Sequence, residues 1–174
     1  MNLEFTKLVK ESYRRAYLAK NGHYVAAKRS KFLNTLTGLP AIIINILLGS
    51  ILFADLSVTI PTYIKWGGAS LAFVGAFLGG IQTFFSYQRN FEGHRRIGRL
   101  FLEIESKYNF LYKKFTDGLM LLDEAYKELK TIDDEYISAI ADAESFPTND
   151  RDYIKSVEIF ESKRRIEQDN KLLN

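Results

Sequence analysis

The chain has 174 residues, a net charge of +3 and no cysteine. That length fits one small unit rather than several domains. The missing cysteine excludes disulfide frameworks, thiol catalysis and cysteine-ligated metals, and leaves the compartment open.

Residues 1–31 hold eight basic side chains (Lys7, Lys10, Arg14, Arg15, Lys20, Lys28, Arg29, Lys31) against Glu4 and Glu11. They have no apolar core of the kind a signal peptide needs. The expectation is a cytoplasmic arm followed by an uncleaved anchor. Glu4 to Lys20 reads as a polar helix with a thin apolar stripe, in which Leu8, Ser12, Arg15 and Ala16 mix with Phe5, Val9, Tyr13 and Tyr17. Asn21-Gly22 reads as its stop, because glycine takes the left-handed cap without steric cost.

Phe32 to Ala54 then carries no charge, and neither does Trp66 to Gln88; each run has 23 residues. At ~1.5 Å per residue each makes roughly 35 Å of helix, against ~30 Å of bilayer hydrocarbon. A buried hairpin in a soluble bundle can also be apolar all round. However, a chain this short has little mass with which to cover two such helices. The expected fold is therefore all-α: a membrane protein with a two-helix transmembrane hairpin and cytoplasmic helical bundle or coiled-coil arms. The expected divisions are a basic helix at 1–31, the hairpin at 32–88 (spans about 32–54 and 64–88) and a helical region at 89–174.

In the first span, Pro40 is expected to kink the helix or mark its start. Asn45 lies near mid-span, and an amide there needs a partner. It either ties the span to its hairpin mate or faces a subunit interface or wet lumen. The linker Asp55–Ile64 includes Ser57, Thr59 and Pro61, with Tyr63 and Trp66 at the depth of an aromatic belt. In the second span Gly68, Ala72, Ala76 and Gly80 recur every four residues, and Gly75 with Gly79 makes a GxxxG on the neighbouring row. Such spacing lets helices approach closely in lipid. It points to packing against the first span or against another subunit.

Arg89, Arg95, Arg96 and Arg99 follow the second span. Basic flanks on both sides of the hairpin place both termini in the cytoplasm. Bases beside a span set topology or meet anionic lipid, and no nucleic acid is expected as a partner. Ile97, Phe101, Ile104, Tyr108, Leu111 and Phe115 are spaced 4, 3, 4, 3, 4, a heptad seam. Continued toward the membrane, the same seam meets His94, Asn90, Tyr87, Thr83 and Gly80. These five are the candidate pore-lining or gating residues, with ~20° of drift per heptad. Asp117-Gly118 interrupts the seam. A new stripe follows: Leu119, Leu122, Tyr126, Leu129, Ile132, Tyr136 and Ile140. Residues 117–150 hold ten acids and two bases, able to lie against the basic stretch 89–116, although most of them read as a solvated face. Phe146-Pro147 ends that helix. A last one, near Arg151 to Leu172, has Tyr153, Val157 and Phe160 on one side.

His23 and His94 are far apart in sequence and do not make a metal motif. No phosphate-binding glycine loop or nucleophile motif is present. The expectation is no enzyme and no cofactor.

The order of parts resembles the SLATT domain family, two-transmembrane effectors of bacterial conflict systems. A basic helix leads to two spans with a short linker. The second span then runs into Tyr87-Gln88-Arg89-Asn90-Phe91 and His94-Arg95-Arg96, and Pro147 and Asp152-Tyr153 precede the last helix. The resemblance implies a homo-oligomeric pore-forming effector in the bacterial inner membrane, acting in antiphage defence by membrane disruption or growth arrest. The alternative is a membrane-anchored helical scaffold that binds a partner without forming a pore. The chain departs from the family pattern in showing no fused sensor. The resemblance therefore implies a separately encoded sensor or nucleotide-signalling protein.

Overall fold

The computed structural model describes residues 2–57 and 60–172, apart from the side chains at 56, 57, 167 and 169–172. Val58 and Thr59 of the expected linker, and the Ser57 side chain, lie outside the described residues. The described chain is all-helical: α1 (Leu3–Ser57), α2 (Thr62–Phe85), α3 (Tyr87–Thr116), α4 (Leu122–Ala143) and α5 (Asp150–Leu172). Two compact units divide it. One joins Met1–Lys28 to Glu92–Asn174, and the other is Arg29–Phe91.

The first unit is a helical bundle. The α3 seam supplies its centre: Ile97, Phe101, Ile104, Tyr108 and Leu111 are all buried, and Phe115 is half-buried. Facing it, α1 buries Phe5, Val9, Ser12, Ala16, His23 and Ala26, with Ala19 packed beside them. These positions also step by 4 and 3. The α1 seam is made mostly of small residues, which let α1 lie close to α3.

Asn21-Gly22 does not stop the helix. Gly22 is buried beside Thr148, and the Asn21 side chain donates to the Tyr17 carbonyl at 2.8 Å. Buried positions on both sides, Ala16 and Tyr17 before and His23, Ala26 and Ala27 after, reward continuing the helix. Pro40 likewise sits inside α1 and does not begin it.

Gly118 closes α3 at φ 72°. Leu119 N–H donates to Lys114 O at 3.0 Å and Gly118 N–H to Phe115 O at 3.2 Å, the paired bonds of a glycine C-terminal cap. In α4 the buried face is Ala125, Leu129, Ile132 and Ala139. Of the expected stripe, Leu129 and Ile132 are buried and Leu122 and Tyr136 pack against the core, while Leu119, Tyr126 and Ile140 are exposed.

At the start of α5, Asn149 and Asp152 cap each other: Asp152 N–H donates to Asn149 Oδ1 (2.9 Å) and Asn149 N–H to Asp152 Oδ2 (3.1 Å). Asp152 and Ser156 are buried and Tyr153 is exposed, so α5 packs through small and polar residues. Phe160 does pack, edge-on to Tyr17 at 5.3 Å. Three ion pairs join α3 to α4: Lys107–Glu135, Lys114–Glu128 and Arg96–Asp142. Each is solvent-facing and worth ~0–1 kcal/mol.

Gly93 is tightly packed, since a β-carbon there would lie 2.0 Å from the Phe146 ring. Alanine normally gains ~1 kcal/mol over glycine inside a helix. Here Gly93→Ala is expected to cost about 1–3 kcal/mol through overpacking. Adding Phe146→Ala should recover part of that cost, because residues in contact are not additive. Thermal melts of the two single variants and the double variant measure the coupling; strict additivity would refute the contact.

Candidate functional site: the apolar hairpin and its polar positions

The second unit pairs the C-terminal half of α1 with α2. Both helices are long and apolar enough to cross a membrane. Their register is fixed by small residues of one helix meeting branched or polar side chains of the other. A β-carbon on Gly68 would lie 3.9 Å from the Ile51 side chain, and one on Gly75 would sit 2.8 Å from Ile44 Cγ2. Gly38 is covered by the Gln82 amide. Ile64, Gly68, Leu71, Gly75, Leu78 and Gln82 step by 4 and 3 on α2, and all are buried or half-buried. The packing seam therefore runs through Gly68 and Gly75. Ala72, Ala76 and Gly80 are exposed, and nothing lies within 4 Å of a β-carbon placed on Gly79 or Gly80.

Polar groups cluster toward one end of the hairpin. Gln82 Nε2 donates to Asn34 O and Asn34 Oδ1, both at 3.3 Å. Asn34 Nδ2 donates to Gln88 Oε1 at 3.4 Å. Sequence reasoning missed this amide cluster because neither Asn34 nor Gln82 carries charge. The available signal was one amide in each apolar run, 27 residues before and 21 residues after Pro61. At the other end, Lys65 pairs with Asp55 at 3.1 Å.

Between α2 and α3 a single residue, Ser86, takes the left-handed conformation (φ 46°, ψ 44°). That backbone costs ~1–2 kcal/mol for a non-glycine residue. Local bonds support it: Ser86 N–H donates to Gln82 O at 3.0 Å, Ser86 Oγ to Thr83 O at 3.2 Å and Asn90 Nδ2 to Phe85 O at 3.0 Å. The heptad seam therefore does not run unbroken from α3 into α2. Gly80 and Thr83 are exposed on α2, and Tyr87 and Asn90 are half-buried on α3 beyond the break. Thr83 Oγ1 donates to the Gly79 carbonyl at 3.0 Å.

His94 belongs to the other unit. It is buried there, with its Nδ1 3.1 Å from His23 Nδ1. At that distance one nitrogen carries the hydrogen and the other accepts it, so the pair is neutral or shares one proton. Burial, the neighbouring His94 and, in the opposite sense, Asp152 bring the His23 pKa down to about 4. On the same α3 seam the Tyr108 hydroxyl donates to Asp133 at 2.6 Å. Burial and that carboxylate push the phenol well above its usual range. Lys20 and Glu105 form a mostly buried ion pair between α1 and α3. Among the described residues, no group of three or more His, Asp or Glu side chains is placed to hold a metal ion.

No family model, curated protein or solved structure matches this chain. What its residues define is an all-helical protein with two candidate membrane-crossing helices.

Proposed function

We propose that the chain is an oligomeric membrane effector, pore- or channel-forming, with its hairpin in the bacterial inner membrane and both termini in the cytoplasm. The observation that carries this reading is the sidedness of α2. Lys65, Ala69, Ala72, Ala76, Gly79 and Thr83 recur at 4-3-4-3-4 spacing, while the rings of Phe73, Phe77 and Phe84 stand 63–81% exposed on other faces. Bulky rings suit lipid. A small and polar stripe suits a helix packed round an axis, and intramembrane polar residues are functional candidates by default. Two spans cannot enclose a water path, so the pore requires several copies. The basic flanks support the orientation. The antiphage role rests on the SLATT resemblance, and so does the separately encoded sensor or nucleotide-signalling partner.

Purified chain in liposomes is expected to release trapped dye. Thr83→Leu should cut that leak at least tenfold while the protein remains in the vesicles. Unchanged leak from Thr83→Leu would remove this stripe from the lining. Tight vesicles around an intact oligomer would favour a membrane-anchored scaffold without a pore. That second reading draws on the exposed Ile137, Ile154 and Ile166 of α4 and α5, which offer apolar surface to a partner protein.

A further inference from the structure

Asn45 is exposed near the middle of the first apolar run, and its amide makes no hydrogen bond among the described residues. Its Oδ1 lies at the edge of the hairpin seam, 3.7 Å from where a Gly75 β-carbon would sit. Along α1 the residues Asn45, Leu48, Leu52 and Asp55 step by 3, 4 and 3. The last three line a groove of about 370 Å³ together with Lys65, Ala69 and Ala72 of α2. The polar edge of α1 and the small stripe of α2 therefore flank the same groove. Thr83 continues that stripe.

An unsatisfied amide is costly in hydrocarbon, where no water supplies a partner. Headgroups and soluble proteins do not reach mid-bilayer depth, so the partner must itself be transmembrane. A second copy in the same orientation brings its own Asn45 to that depth. A carboxamide both donates and accepts, so it is complementary to itself. The groove one turn along from it is lined by aliphatic and small side chains and closed at one end by the Asp55–Lys65 pair, with no ring to hold a neighbour away.

We infer that this grooved face seats a second copy of the chain, with the Asn45 carboxamides of neighbouring copies hydrogen-bonded to one another in the membrane. The inference rests on the reading that the hairpin spans a bilayer. It places a residue of the first span at the contact between copies, beside the stripe that carries Thr83.

The absence of cysteine makes single-thiol variants of the full chain clean probes. In native membranes under copper-phenanthroline oxidation, Asn45→Cys should form disulfide-linked dimer at least fivefold more than Phe77→Cys, which lies at similar depth on a lipid-suited face. In mild detergent, Asn45→Leu should weaken the oligomer at least tenfold, and Asn45→Gln, which keeps the carboxamide, should retain it. Equal cross-linking at the two positions, or an undiminished Asn45→Leu oligomer, overturns the inference. Carbonate extraction tests the underlying reading separately. A chain released by carbonate does not span, and both readings then fall. A retained chain with equal cross-linking refutes the face assignment alone.

Discussion

Replacing Phe101 with alanine is expected to destabilise the helical unit by about 3–5 kcal/mol, the usual cost of truncating a fully packed phenylalanine. Phe101 is 2% exposed. Its ring stacks on His23 at 5.7 Å and meets Tyr136 at 5.6 Å, so it joins α1, α3 and α4 at one point. The cavity left behind would have little means of closing. Beside this ring α1 presents Ala19 and the His23 ring, and α4 presents the Tyr136 ring and Ala143. Alanines have nothing to extend, and the rings are fixed by their other contacts. A domain of this size has only about 5–15 kcal/mol in total, so the loss is a large share. Amide hydrogen exchange along residues 97–111 of the full chain reads it directly, because the helical signal of the hairpin does not intrude there. Protection should fall by about two to three and a half orders of magnitude, 1.4 kcal/mol being tenfold. Phe110→Ala is the matched control: that ring is 60% exposed, and its loss should stay within about 0.5 kcal/mol. Equal effects at the two positions would mean that the seam is not the core.

The parts of the fold that were legible in sequence are those written in large side chains. Ile97 to Leu111 shows its heptad because each position is bulky, and its burial follows. The facing seam on α1 uses the same spacing but is spelled Ser12, Ala16, Ala19, His23 and Ala26, which a search for large apolar residues passes over. The α4 stripe is legible in part for the same reason: Leu129 and Ile132 are buried, the equally buried Ala125 and Ala139 leave no large apolar mark, and Tyr126 and Ile140 are exposed. Gly22 was misread because glycine favours both helix ends and close packing, and only tertiary contact distinguishes the two. Ser86 gives no such cue, since the left-handed turn there rests on bonds from Ser86 and Asn90 side chains rather than on a glycine. Of the candidate site, the hairpin was plain from two uncharged runs. The Asn34–Gln82 bond, the Gly68 and Gly75 seam and the His23–His94 contact each join residues at least 17 positions apart, and no local pattern encodes them. The face assignment of Asn45 depends on where α2 lies, so sequence left it open between hairpin mate and neighbour.

Acid should loosen the helical unit through His23. Its imidazole is 6% exposed, stacked on Phe101, and its Nδ1 is 3.1 Å from that of His94. A proton added to His23 would put a cation where burial and a second imidazole oppose it. Asp152, capping α5, is the countercharge that partly favours it. The balance leaves the folded pKa at about 4, below the ordinary 6.5. A histidine lowered in this way binds its proton more readily when the chain is unfolded. Its contribution is therefore unimpaired above pH ~6.5, drains away as the pH falls from 6.5 to about 4, and is constant below that. With ~1.4 kcal/mol per pKa unit, the loss across that window is about 3 kcal/mol. Unfolding of the full chain in detergent, followed at residues 97–111 between pH 7 and 4, should show it. His23→Gln cannot take up the proton and should flatten the slope between pH 6.5 and 4, at some cost in stability at pH 7. Acid sensitivity that survives in that variant comes from groups other than His23. An unchanged slope in His23→Gln would mean that the pair takes up its proton without strain, with Asp152 supplying the full compensation.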